Sequence, residues 1–326
     1  MSGLRTDPGH AGAVRAQLLT SRPAACLTVG LVALLLAGCG GADADAPTPT
    51  GAAPTTSTPP PTSTTPAEQP LDLAALEAEL DVRIGVHALD TGTGQVLAHR
   101  ADERFAYAST FKALAAAAVL AEADDAQLDT LLQYGPEDLR AYAPVAEANL
   151  GRGLTLREAA AAATTHSDNT AGNLLLEHLG GPAGFAERLR AVGDEVTLPA
   201  RTEPELNTAV PGDDRDTSTP RQLATTLRTY LLGDVLEPAD RDELEGWMRE
   251  STTGTGLIRA GVPDGWVVAD KTGAGSYGTR NDIAVVRPPG RAPIVLAVLT
   301  SRDGQRDERL DVAVARATEQ VVAALG

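Results

Sequence analysis

Two short alternating runs of apolar and polar residues, a long stretch of helical periodicity, and three further alternating runs set what this chain can fold into. The first two runs, 82–89 and 95–100, flank Asp90-Thr91-Gly92-Thr93-Gly94, whose turn residues mark a β-hairpin. A helix is expected before them at 71–80. Helices are expected after them at 109–122, 155–163, 171–179, 182–191, 220–232 and 238–249, several opened by Ser, Thr or Pro. Strands return at 266–271, 281–287 and 294–300, and a last helix closes the chain over 307–325. Two strands, many helices, three strands and a helix specify an α/β fold of the α+β kind. It would be an antiparallel five-stranded sheet with helices on both faces and an inserted all-helical lobe.

The 326 residues are 43% hydrophobic but only 3% aromatic, so the core must be built from Ala, Leu and Val. The ends of the chain are unequal. Arg5, Arg15 and Arg22 precede an apolar run over 23–37 that closes in Leu36-Ala37-Gly38-Cys39, the pattern of an export signal. That run is too short to span a bilayer securely. Leu-Ala-Gly-Cys also resembles the bacterial lipobox, which implies that residues 1–38 are removed and that Cys39 is lipidated as the mature first residue. Residues 39–70 are rich in Pro, Thr, Ser, Ala and Gly and carry too few apolar side chains to fold, so they read as an extended tether. The folded part is then 71–326. Cys26 would leave with the signal, so neither a disulfide nor a thiolate can serve in the folded domain. A net charge of −17 and the absence of a basic patch argue against a nucleic-acid partner.

The chain holds only two lysines, Lys112 and Lys271, among 27 basic residues. A guanidinium does not release its proton, whereas an ammonium can be tuned to do so, so the two positions suggest proton-transfer chemistry. Ser109 and Lys112 are three residues apart at a helix start and share one face, which pairs a nucleophilic hydroxyl with an amine. Ser167-Asp168-Asn169 sits in a polar break between two helices; Ser167 can relay a proton and Asn169 can hold a carbonyl. Lys271-Thr272-Gly273 ends a strand, where a cation, a hydroxyl and a bare backbone can receive an anionic ligand. Each alone has a plainer meaning, a helix cap or a solvated cation. The five histidines are scattered and His166 reads as structural; no ligand cluster suggests a metal.

Together and in this order, the three motifs resemble the penicillin-recognising serine enzymes. Arg201-Thr202-Glu203-Pro204-Glu205-Leu206-Asn207 is similar to the omega-loop signature of the class A β-lactamases within that superfamily. The resemblance implies that Glu203 and Asn207 hold the water that attacks the acyl-enzyme, and that Arg201 and Asp216 pair across the neck of the loop. It implies a nucleophilic Ser109 and an oxyanion site formed by the backbone N–H groups of Ser109 and Ala274. Ser167 and Lys271 would deliver a proton to the leaving nitrogen. The acylation base would be Lys112 or Glu203, which the sequence leaves open. Asn169, Thr272, Gly273, Arg280 and the cleft-wall Tyr142 would bind substrate, Arg280 through its carboxylate. The Trp247-Met248 and Thr252-Thr253-Gly254 stretches also fit the family. Ala108 and Gly275 stand where one carbapenem-hydrolysing subgroup has a disulfide, and Ala274 stands where broader-spectrum members often have a hydroxyl. These departures imply a penicillinase with some cephalosporin activity and poor carbapenem turnover. A small-molecule β-lactam substrate, no cofactor, a monomeric state, export and membrane contact only through a lipid at Cys39 complete the expectation. A D-alanyl-D-alanine carboxypeptidase and a penicillin-binding sensor are the competing readings.

Overall fold

The computed structural model describes residues 68–305 and 310–326. The export signal, Cys39 and most of the tether lie outside the described residues. The central sheet comprises β1 (Gln69–Pro70), β2 (Arg83–Asp90), β3 (Val96–His99), β4 (Val267–Ala274), β5 (Arg280–Arg287) and β6 (Ile294–Ser301). Their order across the sheet is β1-β3-β2-β6-β5-β4. Five of them form the expected antiparallel sheet. The sixth corrects the count: Gln69 and Pro70 pair in parallel with Leu97 and Ala98. Two residues are too few to show alternation, and Pro70 resembles the tether before it, so composition gives no sign of this strand.

Strand pattern follows burial. In β5, Ile283 and Val285 face one core cluster while Ala284 and Val286 face the other. Central β6 is buried on both faces, and its first six residues are correspondingly all apolar. Helices α1 (Ala74–Leu80) and α8 (Asp311–Leu325) contribute Leu76, Val314 and Val321 to one cluster. Helix α6 (Pro220–Leu232) covers the opposite face with Leu223, Leu227 and Leu231.

The inserted lobe is built around α2 (Phe111–Glu122), whose residues from Phe111 to Leu120 are all buried. Alanines fill that helix at 113 and 115–118, which favours helix and lets its neighbours pack close on every side. The neighbours are α3 (Leu156–Thr165), α4 (Asn169–His178), α5 (Gly181–Ala191) and α7 (Pro238–Arg249). Thr155 caps α3 in a full capping box with Glu158, and Asp168 caps α4 through Ala171 N–H. The N-terminal end of α2, the α3–α4 break and β4 meet where the lobe joins the sheet, and this junction holds the candidate chemistry.

Candidate active site

Ser109 lies in a single 3₁₀ turn, Ala108–Thr110, that leads into α2. The turn is fixed from both sides. Ala108 adopts a left-handed φ of 46°, and the Thr110 hydroxyl donates to Tyr107 O at 2.7 Å. Gly273 permits β4 to approach it: a Cβ there would stand 2.9 Å from Tyr107 O and 3.2 Å from Ala108 Cβ.

Lys112 follows one helical turn later with no solvent exposure, and its ammonium faces four oxygens. Nζ donates to Ser109 Oγ at 3.0 Å, to the Ser167 carbonyl at 2.9 Å and to Asn169 Oδ1 at 2.5 Å, and lies 2.9 Å from Glu203 Oε1. Gly172 in α4 leaves the passage for its stem, since a Cβ at that position would meet Lys112 Cε at 2.7 Å. Burial pulls the Lys112 pKa down, and the Glu203 carboxylate only partly restores it.

Glu203 reaches the nucleophile from the omega loop. Ser109 Oγ donates to Glu203 Oε1 at 3.1 Å, while Asn207 Nδ2 donates to Oε2. The peptide bond between Glu203 and Pro204 is cis. The neck of the loop closes on Asp216, which is fully buried and pairs with the Arg201 guanidinium as expected. Asp216 Oδ1 also accepts from the N–H groups of Ala200 and Arg201 at 2.8 and 3.0 Å and from the Tyr107 hydroxyl at 3.0 Å. A carboxyl this deeply buried is tolerated only with such a set of hydrogen-bond and ion-pair partners.

Ser167 takes a left-handed φ of 58° at the α3–α4 break, so its carbonyl points to Lys112 and its hydroxyl to Lys271. Lys271 Nζ donates to Ser167 Oγ at 2.9 Å and to Thr272 O at 2.8 Å. Burial first, and the Lys112 charge second, lower its pKa to about 7. Asp168 is the structural member of its triplet: beyond capping α4, it accepts from the N–H groups of Val145 and Ala146 at 2.9 and 3.0 Å. Those bonds anchor the loop that carries Tyr142, which is 58% exposed at the rim.

A cavity of about 650 Å³ opens over these groups. Ser109, Ser167, Asn169, Asn207, Thr272, Gly273, Ala274, Arg280 and Tyr142 all line it, so every expected substrate-facing residue converges there. Lys112, Glu203 and Lys271 lie buried behind that wall. Arg280 is not free within it: Nε and Nη2 donate to Asp311 of α8 at 2.6 and 3.2 Å.

Sequence reasoning did not single out Asn173 or Asp311, and it gave Thr253 no role beyond its place in Thr252-Thr253-Gly254. Asn173 Oδ1 accepts from Glu203 N–H at 2.8 Å while its Nδ2 donates to Glu203 O at 2.9 Å, so one side chain holds the Glu203 backbone from both sides. Thr253 meets Thr272 hydroxyl to hydroxyl at 2.6 Å at the cavity wall. Asn173 sits in an Asn-rich helix start, and that local excess of polar side chains facing a buried lobe is the signal available for it.

Comparison with known proteins gives the same direction. Residues 71–325 match the model of the beta-lactamase enzyme family. A beta-lactamase of Amycolatopsis lactamdurans is 55% identical over 267 residues, covering 80% of this chain and 88% of that protein. A beta-lactamase of Bacillus licheniformis is 50% identical over 254 residues, 78% of this chain and 83% of the relative. A class A beta-lactamase structure from Clostridium kluyveri superposes with a TM-score of 0.76 at 49% identity, covering 78% of this chain and 97% of its own.

Proposed function

Because the chain belongs to the beta-lactamase enzyme family and is a class A serine β-lactamase, we propose that it hydrolyses penicillins, and some cephalosporins, through a Ser109 ester. The observation that carries this mechanism is the contact of Ser109 Oγ with both Lys112 and Glu203 on the cavity floor.

In acylation, Ser109 Oγ forms a bond to the lactam carbonyl carbon and passes its proton to the Lys112–Glu203 pair. The carbonyl oxygen becomes anionic between the backbone N–H groups of Ser109 and Ala274, each such donor being worth about 10² to 10³ in rate. The C–N bond then breaks: Ser167 hands its proton to the departing nitrogen while Lys271 holds the Ser167 oxygen, and the proton that the pair took from Ser109 is passed on to Ser167. In deacylation, Glu203 takes a proton from water, the new hydroxide oxygen bonds to the ester carbon, and Ser109 leaves with a proton returned by the pair. Asn207 orients the Glu203 carboxylate, and Asn169 holds the substrate's side-chain amide. Arg280, Thr272 and Gly273 receive the substrate's carboxylate, and Tyr142 closes the rim.

Intact mass of the soluble domain with excess benzylpenicillin, read beside lactam absorbance, tests this reading. Wild type should clear the lactam and return to its free mass while Glu203→Gln stays acylated. A wild type that itself remains acylated with lactam unspent is a penicillin target or sensor instead. Turnover of a carbapenem as fast as of benzylpenicillin would overturn the proposed substrate range.

The enzyme is further proposed to be exported, to act as a monomer and to be held at the membrane by a lipid on Cys39, with the Pro/Thr-rich tether as spacer. The support is the Leu36-Ala37-Gly38-Cys39 sequence after an Arg-flanked apolar run. Metabolic labelling with a palmitate analogue should mark wild type and not Cys39→Ala; an unlabelled wild type ends the proposal.

A further inference from the structure

A buried carboxyl that the reaction does not use, Asp282, lies close behind the substrate-facing wall. Asp282 of β5 stands directly opposite Thr272 of β4, and opposed residues in an antiparallel pair project to one face of the sheet. Arg280, two residues earlier on the same strand, shares that face. Thr272 and Arg280 line the cavity and are the groups assigned above to the substrate's carboxylate, so any role for Asp282 in binding rests on that assignment.

Asp282 has no solvent exposure. Its Oδ2 accepts the Ile258 N–H at 3.1 Å, and its Oδ1 has no hydrogen-bond partner among the described residues. The surrounding charges are already engaged. Asp270, its diagonal neighbour on β4, is buried too and takes both the Arg259 guanidinium and the Ser251 hydroxyl, the latter at 3.0 Å. Arg280 is held by Asp311 of α8, and Lys271 turns to the other face to meet Ser167. Val298, opposite Asp282 on β6, and Ile258 from the short helix Ile258–Gly261 are apolar. An ionised Asp282 would therefore be a second buried anion beside Asp270 with one bare oxygen, an arrangement that costs far more than neutralisation by a proton. Burial, with the Asp270 charge added, pushes its pKa well above the usual carboxylate range.

We infer that Asp282 is a carboxylic acid in the working enzyme, and that its neutrality keeps the subsite for the substrate's carboxylate free of an opposing charge. It is a positioning residue that acts through Thr272 and Arg280. The same backbone slot filled by an anion would set two like charges a few residues apart in a poorly solvated wall, which weakens substrate binding on the order of tenfold.

The test compares wild type with Asp282→Asn, which keeps shape and neutrality. Infrared spectra of the free enzymes at neutral pH should contain a protonated carboxyl C=O band in wild type that the variant lacks. That readout needs no turnover, so it stands or fails separately from the proposed activity. KM for benzylpenicillin should be unchanged within about twofold at neutral pH, and the wild-type to variant KM ratio should climb as pH rises and Asp282 ionises. Absence of the band from wild type, or a roughly tenfold lower KM for the variant at neutral pH, shows an ionised Asp282 and overturns the inference. Should Asp282→Asn not fold, Asp282→Thr, neutral and suited to a strand, serves the same assignment.

Discussion

Lys112 Nζ lies 2.9 Å from Glu203 Oε1, and neither side chain has any exposure to solvent. Both also touch the Ser109 hydroxyl, so the two candidate bases form one unit around the nucleophile. A proton leaving Ser109 enters a pair whose nitrogen and carboxylate are already in hydrogen-bond contact. Removing either partner strands the other in a dry site, a loss of about 3–5 kcal/mol for a buried pair.

Substitutions at the two positions should therefore couple. Lys112→Ala and Glu203→Gln are each expected to slow acylation, and the double variant to slow it less than the product of the two effects. A double-mutant cycle on stopped-flow acylation rates should return at least about 1 kcal/mol of coupling. Additive losses would mean that the residues act independently.

Gly172→Ala should separate stability from activity. Alanine improves helix propensity by about 1 kcal/mol at an interior position, yet its Cβ would press on Lys112 Cε at 2.7 Å. Thermal melting should be little changed or modestly lowered, because crowding the buried Lys112 stem offsets the gain in propensity. The acylation rate should fall by about tenfold or more as Nζ is displaced from Ser109, which rapid-quench mass spectrometry would measure.

Asn173→Ala should loosen the omega loop. It removes both bonds to the Glu203 backbone and leaves that N–H and carbonyl unpaired, at a cost of about 1–3 kcal/mol. The melting temperature should drop by several degrees, about 2–4 °C for each kcal/mol in a domain of this size. Deacylation should slow more than acylation, seen as a larger burst with benzylpenicillin.

Lys271 supplies a pH dependence. Its folded pKa of about 7 lies below its ordinary 10.5 because burial and the Lys112 charge disfavour the ammonium. The free enzyme's kcat/KM should fall as pH rises through about 7 and the cation that holds Ser167 is lost. Lys271→Arg, lower in overall rate, should show no such alkaline limb. For stability the sign is opposite. The unfolded chain binds this proton more readily than the fold does, so this contribution is lost as pH falls from 10.5 toward 7 and is level below that.

Asp311→Asn should release Arg280 for the substrate. The ion pair at 2.6 Å is partly solvated, and such pairs are worth about 0.2–1 kcal/mol, so KM for benzylpenicillin should fall by a factor of about 1.4 to 5 with kcat unchanged. The gain should shrink at high salt. An unchanged KM would mean that Arg280 turns from Asp311 to the substrate at no cost.

Much of this architecture is legible because each long element carries its own period. Pro220–Leu232 and Pro238–Arg249 begin at prolines and end where the pattern stops, and the structure places both helices there. The last three strands agree with their pattern to within a few residues. The largest difference is that β4 runs on past Lys271 through Thr272 and Gly273 to Ala274, since pairing with β5 carries a segment that alternation alone does not mark as strand. Ser109 sits in a 3₁₀ turn ahead of its helix because Ala108 takes a left-handed φ, a choice that no side-chain pattern encodes. The candidate site is readable where residues cluster in short motifs. Asn173 and Asp311 escape because each acts on a residue about thirty positions away, Glu203 and Arg280, and only the folded chain brings them together.

β4 is the last strand of its sheet, and its outer margin opens on the cavity. Elsewhere a terminal strand invites another chain to add itself, and proteins guard such margins against self-association. Here Gly273 and Ala274 leave the main chain within reach of any extended amide that enters beside Ser109. A substrate amide laid along that margin would pair as a short extra strand, and the hazard of an unfinished sheet would become a means of reading the substrate's backbone.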